Sequence, residues 1–379
     1  MVVSDVRGRL VDLLVELVDM PCVTGDEDRI ASWLVDRYRT QGEHVHRIAN
    51  SVVVGQRVDD RPVVLLVGHT DVVPPNDGDL PARVEDGNVM GRGTSDMKAG
   101  LAVAMDLFED PALRDGPVQL QLVAYAGEEG PHEGNELAQV LSGMPELEDA
   151  ALAIVLEPTD LEVQLGCMGG LHAEITVPGR AAHSARPWQG HNALTAAAPL
   201  LAELADLQPR DRMVDDLLYR DVITATQAWT SNARNVVPDR FVVNLNYRFA
   251  PDQSLADAES ELRTMVEHMA GAPVDVQIVD RSPAAPPLRG DPYVQGLVAA
   301  ADGRVAAKQA WTDVAQLAAV GVAALNYGPG LTSQAHQAGE HVPVEHLEQA
   351  RTVLAAFLAA PSIPREEVGP DGVQRPQHI

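Results

Sequence analysis

Five short polar clusters in this 379-residue chain carry residue types that hold metal ions or move protons. Gly68-His-Thr-Asp71 sets a histidine two positions before a carboxylate. A histidine can bind a metal through one ring nitrogen while a carboxylate fixes its tautomer through the other. Gly91-Arg-Gly-Thr-Ser-Asp-Met-Lys-Ala-Gly100 is a glycine-rich run entering a helix, with Asp96 at the junction. It matches neither G-x-x-x-x-G-K-[ST] nor G-x-G-x-x-G, so it does not read as a phosphate cradle. Gly127-Glu-Glu-Gly130 places two carboxylates side by side, which repel unless a cation or proton compensates. Glu157-Pro-Thr159 ends an apolar run abruptly on a carboxylate, and His336 closes the segment Gly328-Pro-Gly-Leu-Thr-Ser-Gln-Ala-His336.

Singly, each cluster has a bland explanation: a satisfied core histidine, a helix cap, a solvated acidic loop. Jointly they do not, because four of them follow apolar runs that read as strands, and sites in open α/β sheets form at the carboxyl ends of strands. Two histidines and several carboxylates delivered by one sheet are what a two-metal hydrolytic centre requires. Cys22 and Cys167 are the only cysteines and read as small buried hydrophobes. The donors are therefore imidazole and carboxylate, which suits two Zn2+ ions, with Co2+ or Mn2+ as substitutes. The charges of two divalent ions are balanced by Asp96, Glu129, Glu157 and one hydroxide, a sensible target for a buried site. Glu128 is left uncommitted, placed to take a proton from water and pass it to a leaving amine.

The elements that must position these residues follow from periodicity. Val6–Met20 and Asp26–Gln41 read as amphipathic helices, Pro62–Gly68 as a strand buried on both faces, and Val118–Tyr125 and Ala151–Leu156 as two more strands. Helical patterns lie between them at Met97–Phe108 and near Gly134–Ser142, which predicts an α/β catalytic domain with its sheet flanked by helices. From Leu171 the pattern changes: strands at Leu171–Val177, Phe241–Phe249 and Val274–Val279, helices at Asn192–Leu207 and Ser254–Ala270. This predicts an inserted α+β domain over 171–281, with the proline-rich Ser282–Pro287 as the return linker. Val314–Val320 (helix), Val322–Tyr327 (strand) and Val344–Leu358 (helix) resume the first domain, so that 1–170 and 282–360 form one discontinuous unit. The tail 361–379 is expected to be loose.

A formal net charge of −27 and a pI near 4.6 argue against nucleic-acid or anionic-membrane partners. Only two lysines occur, Lys98 and Lys308, so an anionic substrate needs locally placed cations. The N-terminal stretch has no uninterrupted apolar core, and the expected location is cytoplasmic.

The ordered clusters resemble the dinuclear zinc amidases that include acetylornithine deacetylase, aminoacylase, glutamate carboxypeptidase and succinyl-diaminopimelate desuccinylase. The resemblance implies that Asp96 bridges two metals, that His69 and Glu157 complete one site, and that His336 and Glu129 complete the other. Asp71 would orient His69, and Glu128 would be general base and acid. It further implies a homodimer in which the inserted domain acts as lid and dimerisation unit. That domain lends His183, in Gly179-Arg-Ala-Ala-His-Ser-Ala-Arg186, to the partner's site as an oxyanion donor.

The segments Asn235–Asp239, Asn246–Pro251, Trp311–Asp313 and Asn326–Gly330 look most like actinobacterial-type succinyl-diaminopimelate desuccinylases, which make a lysine and cell-wall precursor. Arg248 is then the candidate for an anionic N-acyl-amino-acid substrate, since a guanidinium fork pairs bidentately with a carboxylate. Arg186, Thr312, Gly328 and, across the dimer, Asn235 are further binding candidates. The chain departs from the pattern at Ala126-Gly127, before the paired glutamates, and at Met168, near where some members place a substrate-binding arginine. Rival readings are another amidase of the same fold, such as acetylornithine deacetylase, and a non-catalytic metal-binding homologue, which would have no use for Glu128.

Overall fold

The structure is a computed structural model describing residues 6–361; the expected loose tail lies outside the described residues beyond its first position. The strand Val63–His69 shows why the larger sheet is covered on both sides. Val64 and Leu66 belong to one apolar cluster, Val63, Leu65 and Val67 to another, and the whole strand is buried. Successive side chains point to opposite faces, so an unbroken apolar run builds two cores at once.

This strand sits in a mixed eight-stranded sheet ordered Val45–Ile48, Ser51–Val54, Gln119–Tyr125, Val63–His69, Leu152–Val155, Ala324–Asn326, Val163–Leu165, Val305–Ala307. Its central pairs are parallel, Val63–His69 lying between Gln119–Tyr125 and Leu152–Val155. The helices Val6–Val18, Asp28–Thr40, Ala99–Phe108, Pro292–Ala300 and Val344–Ala359 contribute to the core on one face. Leu137–Gly143 and Val314–Ala319 cover the other.

A second sheet is entirely antiparallel: Arg210–Val214, Leu217–Trp229, Arg240–Phe249, Gly169–Pro178, Asp275–Ser282. Leu171, Ala173, Ile175 and Val177 pack with Leu262 and Val266 of the helix Leu255–Ala270 into a separate apolar cluster. Ser254 caps that helix by accepting from the Asp257 nitrogen, and Gly271 ends it in the left-handed region. The two crossings between the sheets are tied together, since Cys167 and Ala285 exchange main-chain hydrogen bonds of 3.1 and 3.2 Å.

Several elements differ from expectation. The single helix expected over Asn192–Leu207 is two, Ala193–Ala196 and Ala198–Asp206, with Pro199 in the first turn of the second, where its missing N–H costs nothing. The helix expected from Met97 begins at Ala99, because Asp96 and Met97 adopt non-helical angles. The hairpin Val45–Val54 and the 13-residue strand Leu217–Trp229 were not anticipated.

Candidate metal centre

The carboxyl ends of three adjacent strands converge. Val63–His69 ends on His69, Gln119–Tyr125 runs on to Glu128 and Glu129, and Leu152–Val155 runs on to Glu157. Asp96 arrives from the glycine-rich loop. Gly93 turns there with φ 82°, and a Cβ on it would lie 2.5 Å from Cγ1 of Val72, so the turn admits only glycine. His336 comes from the loop after Ala324–Asn326, with its own backbone at φ 62°. A non-glycine residue held in that region is strained, as is common at functional sites.

Two triads result. His69, Asp96 and Glu157 bring one donor atom each within 4.8 Å of one another, as do Asp96, Glu129 and His336. His69 Nε2 lies 3.3 Å from Asp96 Oδ1 and 3.8 Å from Glu157 Oε1, and His336 Nε2 lies 2.8 Å from Glu129 Oε2 and 3.6 Å from Asp96 Oδ2. Asp96 is common to both, with one oxygen toward each histidine. Glu128 is within the same reach of His69 and Glu129. These three form a further triad of their own, so by reach alone Glu128 competes with Asp96 and Glu157 for the ion beside His69.

The donor set fits divalent cations on its own chemistry. Oε1 of Glu129 is buried without a hydrogen-bond partner, although a buried polar atom is ordinarily paired. Burial, and the charge of Asp96 after it, pushes Glu157 up to about 7. Burial likewise holds Glu128 well above the usual carboxylate range, with Glu157, Asp313 and Glu129 adding to it against the opposing charge of His69. Burial opposes a charge on His69, but the bond to Asp96 and the charges of Glu128, Asp71 and Glu157 outweigh it and raise the imidazole. Acids crowded this closely without a counter-charge resist ionising, and cations remove that penalty.

Asp71 works differently from expectation. His69 Nδ1 meets the main-chain oxygen of Asp71 at 3.0 Å, whereas the Asp71 carboxylate is 3.6 Å away. That carboxylate instead accepts from the nitrogens of Glu128 and Glu129, each at 3.1 Å, and from Thr24 Oγ1 at 2.9 Å. It therefore holds the paired glutamates in place.

A cavity of about 560 Å³ opens on the centre, lined by Glu128, Glu157, Arg248, Lys308, Thr312 and His336 among others. Thr312 Oγ1 is buried there without a partner. Gly328 does not line it. A Cβ at Gly328 would lie 2.4 Å from the Leu156 oxygen and 2.6 Å from that of Glu157, so the glycine lets two loops touch behind the centre. His183, Arg186 and Asn235 are exposed and stay outside the cavity; Ser184 donates to the Asn235 carbonyl beside the short pairing of Ala182–His183 with Val236–Val237. Met168 is fully buried in the core.

Sequence reasoning missed two supports. Glu340 accepts from Arg92 Nη1 and the nitrogens of Gly93, Ser95 and Asp96 at 2.8–2.9 Å, clamping the loop that presents Asp96. Asp313 accepts from Tyr125 Oη, from Asn135 at 2.9 Å and from Gln316 at 2.6 Å, behind His69 and Glu128. Asp313 stood in a segment already noticed, but nothing local marked Glu340.

The family model described as Peptidase family M20/M25/M40 matches residues 65–360, a span that runs from before His69 to beyond His336. The chain belongs to this family. Among M20/M25/M40 relatives, a Mycobacterium tuberculosis protein provisionally named succinyl-diaminopimelate desuccinylase is 36% identical over 93% of this chain and 99% of its own length. Succinyl-diaminopimelate desuccinylase of Corynebacterium glutamicum is 35% identical over 94% of this chain and 97% of its own. The crystal structure of aminopeptidase PepT from Bacillus cereus superposes with a TM-score of 0.74 at 20% identity, covering 93% of this chain and 98% of that one, and shares the fold. No helix among the described residues is long and apolar enough to cross a membrane.

Proposed function

We propose that this chain is a two-zinc amidase that hydrolyses N-succinyl-L,L-2,6-diaminopimelate to succinate and L,L-diaminopimelate, in the cytoplasmic synthesis of lysine and cell-wall precursor. The observation that carries the reading is the pair of triads sharing Asp96, one around each histidine, with Glu128 within reach of His69 and Glu129. The desuccinylase names of relatives matched over nearly their whole length support the substrate.

In this reading His69, Asp96 and Glu157 would hold one ion, and Asp96, Glu129 and His336 the other. Two divalent ions held there would polarise the amide carbonyl and make water acidic enough to attack near neutral pH. Glu128 would accept a proton from the attacking water and return it to the departing nitrogen. Asp71 fixes its position through the main chain. Arg248 orients a substrate carboxylate, and Thr312 offers its unpartnered hydroxyl. Residues 171–281 form a lid and dimerisation unit, through which His183 of a second copy reaches the developing oxyanion. The exposure of His183, with Arg186 and Asn235 beside it, is consistent with use across such an interface.

The test compares zinc-loaded protein on N-succinyl-L,L-diaminopimelate and N-acetylornithine. The reading expects a kcat/KM larger by at least about 100-fold for the succinyl substrate, the scale of discrimination a site built for a charged group achieves. Equal or reversed preference would remove the desuccinylase assignment.

A further inference from the structure

The two lysines of this chain are used in opposite ways. Lys98 lies under the first helix and donates to the main-chain oxygens of Leu17 and Met20, at 2.8 and 3.0 Å. Lys308 is almost as enclosed, 6% exposed, yet its Nζ donates no hydrogen bond to any described residue, and Glu157 Oε2 stands 4.0 Å away. It follows the strand Val305–Ala307 and lines the cavity on the metal centre. An ammonium with no hydrogen-bond partner at the wall of a cavity is placed to receive an anion. Glu157 cannot fully serve, because its carboxylate belongs to the triad with His69 and Asp96.

Arg248 is the second cation of this cavity, and its guanidinium also lacks a hydrogen bond or ion pair among the described residues. Burial pulls it below its ordinary value. Gly170 leaves it room, since a Cβ there would lie 2.9 Å from Nη1. Lys308 stands on the Glu157 side of the centre, its Nζ 4.0 Å from Oε2, while Arg248 rises from the second sheet opposite Gly170. If Glu128 hands its proton to the departing nitrogen, the amine half of the amide lies toward Glu128, and Lys308, beside Glu157, is the cation left for the acyl half.

We propose that Lys308 determines acyl-group specificity by binding the free carboxylate of a dicarboxylic acyl group, while Arg248 takes a carboxylate of the amine half. The proposal rests on the two-metal amidase reading above. A succinyl group carries its free carboxyl carbon about 4 Å beyond the amide carbonyl carbon, three C–C bonds away. An acetyl group ends in a methyl and leaves the ammonium unpartnered, and a site built around a charged contact rejects the analogue that lacks it.

Calorimetric titration of the zinc-loaded protein with succinate and with butyrate tests this, because the two ligands share a four-carbon chain and differ by one terminal carboxylate. Wild type is expected to prefer succinate by roughly 10- to 100-fold, the range of a hydrogen bond to a charged group. K308M is expected to bind the two within a few-fold of each other, and K308R to keep most of the preference. Melting temperatures check folding, and K308Q carries the same comparison if K308M unfolds. No preference in wild type, or an undiminished one in K308M, would overturn the proposal. So would equal loss of both ligands in a folded K308M, which would mark Lys308 as a support for Glu157. None of these readings needs turnover. A Lys308-dependent preference for succinate in a protein that does not cleave N-succinyl-L,L-diaminopimelate would count against the proposed substrate and leave this inference standing.

Discussion

Asp71 accepts from the main-chain nitrogens of both Glu128 and Glu129, so one buried carboxylate sets the aim of two others. Glu129 faces His336, and Glu128 faces the cavity without a hydrogen bond from its carboxylate to a described residue. This separation makes Glu128→Gln a clean probe. The substitution keeps the shape and the Asp71 contacts but removes the proton carrier. Turnover should fall by about 10²–10⁴-fold while the protein still binds two zinc ions, measured by steady-state kinetics alongside metal analysis. Near-normal turnover would remove Glu128 from the mechanism. At this scale the five ligand candidates stood out because each lies in a short, distinctive cluster, four of them after an apolar run that reads as a strand. Glu340 was not, since it acts on the Asp96 loop from 244 residues away and no local pattern marks a glutamate as a clamp. Lys308 had a faint signal, a charge placed directly after Val305-Ala-Ala307 in a chain with one other lysine.

Strand ends do the positioning, and the loop that follows each strand must stay close to its neighbours. Gly328 marks one such contact, pressed against the carbonyls of Leu156 and Glu157 while Thr159 Oγ1 bonds its oxygen at 3.0 Å. Gly328→Ala would drive a methyl into backbone that cannot rotate away. It should cost about 1–3 kcal/mol as overpacking and displace Glu157, read as a lower melting temperature together with weaker binding of one of the two zinc ions. A variant with unchanged melting temperature and zinc affinity would show that the loops yield freely. The sequence expectation had placed Gly328 in the pocket, because a glycine's packing partner cannot be read from its own segment. Doubly buried strands such as Val63–His69 were easy to recognise from their apolar runs. Leu217–Trp229 escaped because its second half is mostly exposed and carries no alternation.

For the whole molecule, the acidic composition and the centre pose the same electrostatic question at two sizes. A chain of net charge −27 gathers Asp71, Asp96, Glu128, Glu129 and Glu157 around one point, a cluster that is self-repulsive unless cations hold it. The α/β architecture and the change of pattern near residue 171 were visible in the chain. The pairing of Cys167 with Ala285, which ties the two crossings between the sheets, depends on residues more than a hundred positions apart and was not. The central claim is that two metals held through Asp96 make this chain a desuccinylase. Zinc titration of chelator-stripped protein, with bound metal and succinate release from N-succinyl-L,L-diaminopimelate followed together, tests it most directly. Saturation at two zinc ions per chain, maximal succinate release at that loading, and loss of both on Asp96→Asn are expected. Saturation at one ion or none, or no succinate released by the fully loaded protein, would contradict it.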